Sequence, residues 1–339
     1  MSHPDWARAH ATVAPDGSAP LFAATIRTTP QDFQVTEELG FEFTGDGEHD
    51  YLSIEKTGAN TEWVARQLAR FADIPAKDVG YAGLKDRHAV TKQWFSVPRW
   101  HSPDWRALKV EGVEVLDVQR HNRKLRRGAH KANRFHIVLR GEGLHAHADA
   151  IEKRVQVIRE EGVPNYFGEQ RFGRDGSNVE LADAWASGKR LPRHKRSIAI
   201  STARSFMFNE QLDARVREAT WNTILPGDKA NLDGTGSVFN VEEVDDEIRR
   251  RCSEMDIHPA GELPGDGSTG TNERWITALG KARVEPGTRS LRLRVSDLTC
   301  KIGEDSFELE FALGRGAFAT SVLREIVVTR QSTPFPPVS

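Results

Sequence analysis

The chain has 339 residues, 38% of them hydrophobic and 28% charged, with a formal net charge of −2, which allows two domains and a sizeable buried core. No stretch approaches the roughly 20 apolar residues of a membrane span, and the N-terminus lacks the basic-then-apolar order of a secretory signal. Cys252 and Cys300 form no C-x-x-C pair, which argues against a zinc site or a disulfide framework and suits a reducing cytoplasm.

In chain order, residues 1–19 read as a polar tail with Pro4, Pro15 and Gly17. Rough alternation of apolar and polar residues predicts strands over Leu21–Thr29, Phe33–Glu38 and Tyr51–Lys56. Asn60 is placed to cap a helix whose apolar face is Val64, Leu68 and Phe71, and Pro75 with Gly80 ends it. Strands follow at Gln93–Pro98, Val110–Gln119 and Arg134–Arg140, then an amphipathic helix through Ala148, Ile151, Val155 and Ile158 that Gly162 stops. Beyond Gly162 the pattern is mostly helical, for example Phe208, Leu212 and Val216 after the candidate cap Thr202, with Gly-rich loops at 227–236 and 261–270. Strand patterning returns at Leu291–Val295 and Phe307–Leu313, and a last helix starts near Ala317. Strand-rich ends around a helix-rich middle predict one domain inserted into another, an α+β chain overall. No internal repeat is visible.

Charge is unevenly spread. From Val118 to Gly141 there is no acid, while Arg120, Arg123, Lys124, Arg126, Arg127, Lys131, Arg134 and Arg140 are basic. A second acid-free run, Trp185–Asn209, carries Lys189, Arg190, Arg193, Lys195, Arg196 and Arg204. Isolated basic runs are often solvated faces, but two in a near-neutral chain point to a polyanion track. No metal-ligand spacing and no nucleotide-cofactor motif stands out; Gly314-Arg315-Gly316 lacks the third glycine of a Rossmann turn. Neither a metal nor a cofactor is expected.

The segment Gly80–Gln93, GYAGLKDRHAVTKQ, sets one carboxylate, Asp86, between Lys85 and Arg87. Adjacent cations favour its charged form, which suits a nucleophile or base. The tripeptide alone fits a solvated loop aspartate equally well. Four further stretches run in order with it: Asp32-Phe33-Gln34-Val35 with Glu37 and Glu38; Asn133-Arg134-Phe135; GVPNYFGEQRFG from Gly162 to Gly173; and GAFATS from Gly316 to Ser321.

Together these stretches, from about residue 22 to residue 326, resemble the TruD family of tRNA pseudouridine synthases. The resemblance implies an α+β fold: a catalytic domain on a mixed, largely antiparallel sheet over 20–161 and 293–339, with a mainly helical α/β insertion over 162–292. It implies an isomerase that converts uridine to pseudouridine at position 13 in the D-arm of tRNA, without a cofactor. Asp86 takes the catalytic position, and Phe33, Asn133, Phe135 and Phe318 take substrate-binding positions. Arg27 stands where the family has a basic residue, usually lysine, and is the expected cation beside Asp86. Arginine there offers a planar fork but does not readily release a proton. A base stacked in tRNA must be flipped into a pocket to be reached. Whether Asp86 attacks C1′, attacks C6 or removes a ribose proton is left open at this level.

Lys85, Arg87, Arg123, Lys124, Arg126, Arg127 and Lys131 are candidate phosphate contacts. Tyr166, Phe167 and Phe172 are expected to pack where the two domains join. tRNA is the expected partner, with no protein partner implied and a monomer expected. A non-catalytic tRNA-binding or tRNA-folding protein is the alternative; a retaining glycosidase fits poorly because no second carboxylate is marked.

Overall fold

A computed structural model describes residues 22–331; the polar tail expected over 1–19 and residues 332–339 lie outside them. In chain order the elements are β1 (Phe22–Ile26), β2 (Phe33–Leu39), β3 (His49–Lys56), α1 (Thr61–Phe71), β4 (Gly80–Tyr81), β5 (Val90–Pro98), β6 (Val113–His121), β7 (His130–Arg140) and α2 (Ala148–Glu161). They continue with β8 (Val163–Pro164), α3 (Ser177–Ala186), α4 (Arg193–Arg217), β9 (Lys229–Leu232), β10 (Val238–Asn240), α5 (Asp246–Ser253), β11 (Ile257–Leu263) and α6 (Glu273–Lys281). The last are β12 (Gly287–Ser290), β13 (Arg292–Leu293), β14 (Ser296–Ile302), β15 (Ser306–Gly314), α7 (Ala319–Leu323) and β16 (Val327–Gln331). The described residues form two compact units, one of 22–155, 296–316 and 327–331, the other of 156–295 and 317–326.

The first unit is built on a ten-stranded sheet whose main path runs β14-β15-β7-β2-β5-β3-β6, with β1 joining β7 to β16 and β4 on β5. Only β1–β16 and β2–β5 pair in parallel; the remaining ladders are antiparallel. Period-2 patterning puts Phe135, Ile137 and Leu139 of β7 inward with Phe307, Leu309 and Phe311 of β15. One cross-strand row then follows from the register: Lys56 opposes Thr91, Thr91 opposes Val35, Val35 opposes Phe135, and Phe135 opposes Phe311. Helix α1 follows Asn60 as expected and buries Val64 and Leu68 against Leu52, Ile54 and Phe95 of the same sheet face. Burying such side chains contributes about 1.5–3 kcal/mol each.

In the second unit, α4 buries Phe208, Leu212 and Val216 among Tyr166, Phe167, Phe172 and Trp221. These aromatics are therefore core residues of this unit. Helix α4 opens at Arg193 after Pro192, and Thr202, the expected cap, is buried in its middle. Proline has no N–H to leave unsatisfied at a helix start, so it outcompetes a hydroxyl cap farther along. The expected loop at 227–236 instead holds β9 and a turn at Gly234 in the left-handed region, and the loop expected at 261–270 begins inside β11. Strands β10-β9-β11-β12 make an antiparallel sheet of four, and β8 pairs with β13. Three strands of the four-stranded sheet span only three or four residues, too few to impose a visible period, and the burial of β11 does not alternate.

Candidate active site

The segment that opens with β4 carries Asp86 and is held to the sheet by its main chain. It starts at Gly80, where a Cβ would meet the Leu125 carbonyl oxygen and Ser96 Oγ at 2.4 Å, so only glycine permits this approach. Further along, Gln93 Nε2 donates to the Gly83 carbonyl (3.2 Å) and the Lys85 N–H donates to Thr61 Oγ1 (3.0 Å). Thr61 Oγ1 in turn donates to Gln93 Oε1 at 2.8 Å. Lys56 Nζ reaches the carbonyls of Ala59 (2.8 Å) and of Asp86 itself (3.1 Å). Lys56, Thr61 and Gln93 are each 1% exposed, so these bonds are made away from water, where an unmet polar group is costly.

The Asp86 side chain is 31% exposed and takes two hydrogen bonds. Arg27 Nη2 donates to Oδ2 at 2.7 Å, and the His88 N–H donates to Oδ1 at 2.9 Å. A carboxylate accepts at about four lone-pair positions, so Asp86 is anchored yet retains acceptor capacity on its solvent-reachable side. Arg27 follows β1 with φ +60°, a left-handed conformation that costs a non-glycine residue of order 1 kcal/mol. Its guanidinium is 4.3 Å from the Phe33 ring centroid, and the ion pair and this stack hold the strained residue in place. Phe33 meets Phe135 edge-on at 6.2 Å, and Phe135 stacks on Phe311 at 5.3 Å.

Asp32, beside Phe33, is buried and structural: it accepts from the Thr29 N–H and from both Nε and Nη2 of Arg140. Burial pushes its carboxyl up, but these bonds and the Arg140 charge outweigh that and hold it below the usual range.

Asn133 lies on β7 opposite Glu37, on the same sheet face as Phe135. Among the described residues its buried Oδ1 has no hydrogen-bond partner. Glu37 pairs with Lys85 (2.6 Å), and both side chains are buried. His130, whose nearest charged groups are Lys85, Glu37 and Arg315, has its imidazole pushed down, chiefly by burial.

The expected site residues thus divide. Arg27, Phe33, Asp86, Asn133 and Phe135 all belong to the first unit. Phe318 belongs to the second, partly buried against its aromatic core and immediately preceding α7. Among the phosphate-contact candidates, Lys85 points inward to Glu37, Lys124 donates to the Lys77 carbonyl, and Arg127 stacks on Tyr81. Arg87, half-buried, and the exposed Arg123, Arg126 and Lys131 make no side-chain hydrogen bond or ion pair among the described residues. The run adjoins the Asp86 segment, since the Gly128 N–H donates to the Ala82 carbonyl at 2.7 Å.

Sequence reasoning missed Lys56, Thr61 and Gln93 as parts of the site. A signal existed for Lys56: it continues the inward parity of Leu52 and Ile54 on β3. No group of three or more potential metal ligands occurs among the described residues. No described helix is long and apolar enough to cross a membrane.

The family model for tRNA pseudouridine synthase D (TruD) matches residues 18–181 and 177–326. A tRNA pseudouridine synthase D of Methylococcus capsulatus is 46% identical, covering 95% of this chain and 94% of that protein. One from Nitrosococcus oceani is 42% identical, with 94% and 95% covered. A crystal structure from Methanosarcina mazei bearing the TruD name superposes with a TM-score of 0.74 at 18% identity, over 96% of this chain and 98% of that one. At that identity the superposition speaks to the fold alone. By sequence, this chain is a member of the TruD family.

Proposed function

We propose that this chain isomerises uridine to pseudouridine in tRNA, at position 13 of the D-arm, with Asp86 as the nucleophile. The observation that carries the reading is the Asp86 carboxylate, reachable from solvent, anchored by Arg27 at 2.7 Å and set in the family signature. The target uridine flips out of its stack. Attack by Asp86 at the nucleoside is followed by scission of the C1′–N1 bond, rotation of the uracil and C5–C1′ bond formation. The C5 proton is released, N1 regains one, and the carboxylate is set free. The net change is an isomerisation that consumes no co-reactant.

Asn133 suits recognition of the uracil edge, because its Oδ1 is a buried acceptor without a partner among the described residues, which the imide N–H of uracil would satisfy. Phe135, on the same strand face, and Phe33, which packs on it, are largely buried and would present only ring edges beside it. Arg87, Arg123, Arg126 and Lys131 are the cations best placed for phosphates, being without internal partners.

The test is incubation of unmodified tRNA transcripts with wild type and Asp86→Asn, followed by mapping of pseudouridine. Pseudouridine at position 13 with wild type and none with Asp86→Asn is the expected result. A wild type that binds tRNA yet forms no pseudouridine would leave only a binding role. Full activity of Asp86→Asn would remove the nucleophile assignment.

A further inference from the structure

Lys56 is a buried cation that takes no part in the bond changes of the isomerisation. It ends β3, and on its two flanking strands it faces Thr91 and Val113, which are uncharged. Among the described residues no carboxylate lies within ion-pair distance of its Nζ, which instead donates to two carbonyls, one of them that of Asp86. The charged groups that bear on it are Asp86 and Lys85, both on the signature segment. A buried ammonium without an ion-pair partner is expensive, and a methionine of similar length would fill the same space without that cost. Its two hydrogen bonds explain where it points, but a neutral donor would make them as well. What a charged donor adds is a fixed positive field behind the Asp86 main chain.

We propose that Lys56 is a positioning residue for the nucleophile: its buried ammonium fixes the Asp86 main chain and, with Arg27, holds the carboxylate in its attacking pose. The inference rests on the reading of Asp86 as nucleophile. The two cations act from different sides. Arg27 grips Oδ2 directly, whereas Lys56 never touches the reacting atoms and works through the backbone carbonyl. Thr61 and Gln93 fix the Lys85 N–H and the Gly83 carbonyl by neutral bonds, so Lys56 supplies the only charged main-chain clamp among those described for residues 83–86.

The experiment uses the full chain with Lys56→Met, which removes donor and charge, and Lys56→Gln, which keeps a donor without the charge. Single-turnover rate, tRNA Kd and the pH–rate profile are measured for each. Lys56→Met should lower the single-turnover rate about 100-fold, as loss of one preorganised electrostatic contact does. tRNA Kd should stay within about twofold of wild type, because the residue is out of reach of RNA, and Lys56→Gln should recover only part of the rate. Wild type should lose rate as pH rises through about 8, where burial places the Lys56 titration, and neither variant should show that limb. A folded Lys56→Met within threefold of the wild-type rate would overturn the proposal, as would a loss confined to Kd. If Lys56→Met does not fold, a Lys56→Gln profile that keeps the wild-type alkaline limb overturns it instead. Wild type without pseudouridine would sink the underlying functional reading. An active wild type, an inactive Asp86→Asn and a fully active Lys56→Met would sink this inference alone.

Discussion

Replacing Lys56 by methionine should change stability in a way that depends on pH. Burial pushes this ammonium from 10.5 down to about 8, against the upward pull of Asp86 and with the Lys85 charge adding to the fall. The unfolded chain therefore binds more protons than the folded one between about pH 8 and 10.5, so stability rises with pH across that window. Below pH 8 the folded protein carries the whole penalty of a charged buried lysine. A depression of roughly 2.5 pH units corresponds to about 3 kcal/mol. Methionine removes that penalty but forfeits two hydrogen bonds to carbonyls, at about 1 kcal/mol each.

The variant should then be about 1 kcal/mol more stable than wild type at pH 7, and the advantage should reverse by about 2–3 kcal/mol on going to pH 10. Urea unfolding at both pH values, followed through Trp63, Trp94 and Trp105 of the same unit, measures the difference. Parallel changes in wild type and variant would refute the reasoning, since they would show that Lys56 is not charged against its environment in the fold. A gain in stability with a loss of rate would mark the residue as kept for function.

The other predictions concern the groups around it. Arg27→Met should reduce turnover about 10- to 100-fold, the worth of a charge-assisted bond to Asp86, measured as single-turnover rate on tRNA; an unchanged rate would show that the ion pair is dispensable. Asn133→Ala should impair pseudouridine formation while moving the unfolding free energy by less than about 0.5 kcal/mol, because Asn133 Oδ1 has no partner to lose; a destabilised variant would make the residue structural. Neutralising Arg123, Arg126 and Lys131 together should weaken tRNA binding and lower the salt slope by about 3. Lys85→Gln should leave that slope unchanged, since its ammonium is spent on Glu37.

The sequence alone carried the catalytic candidate and much of the scaffold. Period-2 runs on β2, β3 and β7 and the i, i+4 spacing of Val64 and Leu68 report burial directly, because the side chains repeat with the backbone geometry. Asp86 was legible because its whole surrounding segment is a signature. The four-stranded sheet of the second unit was not, since three of its strands span only three or four residues and the burial of β11 does not alternate. Charge was the least legible property. Lys85, Lys124 and Arg127 look in sequence like Arg123, Arg126 and Lys131, yet the first three are taken up by Glu37, a carbonyl and a tyrosine ring. What a lysine or arginine meets depends on residues far away in the chain, brought close only by strand register. The same applies to Arg27, which reaches Asp86 across 59 positions, and to Lys56, which reaches its carbonyl across 30. Sequence determined which carboxylate is the candidate nucleophile; tertiary structure decided which cations hold it, because long-range pairing, and not local pattern, sets the distance between charges.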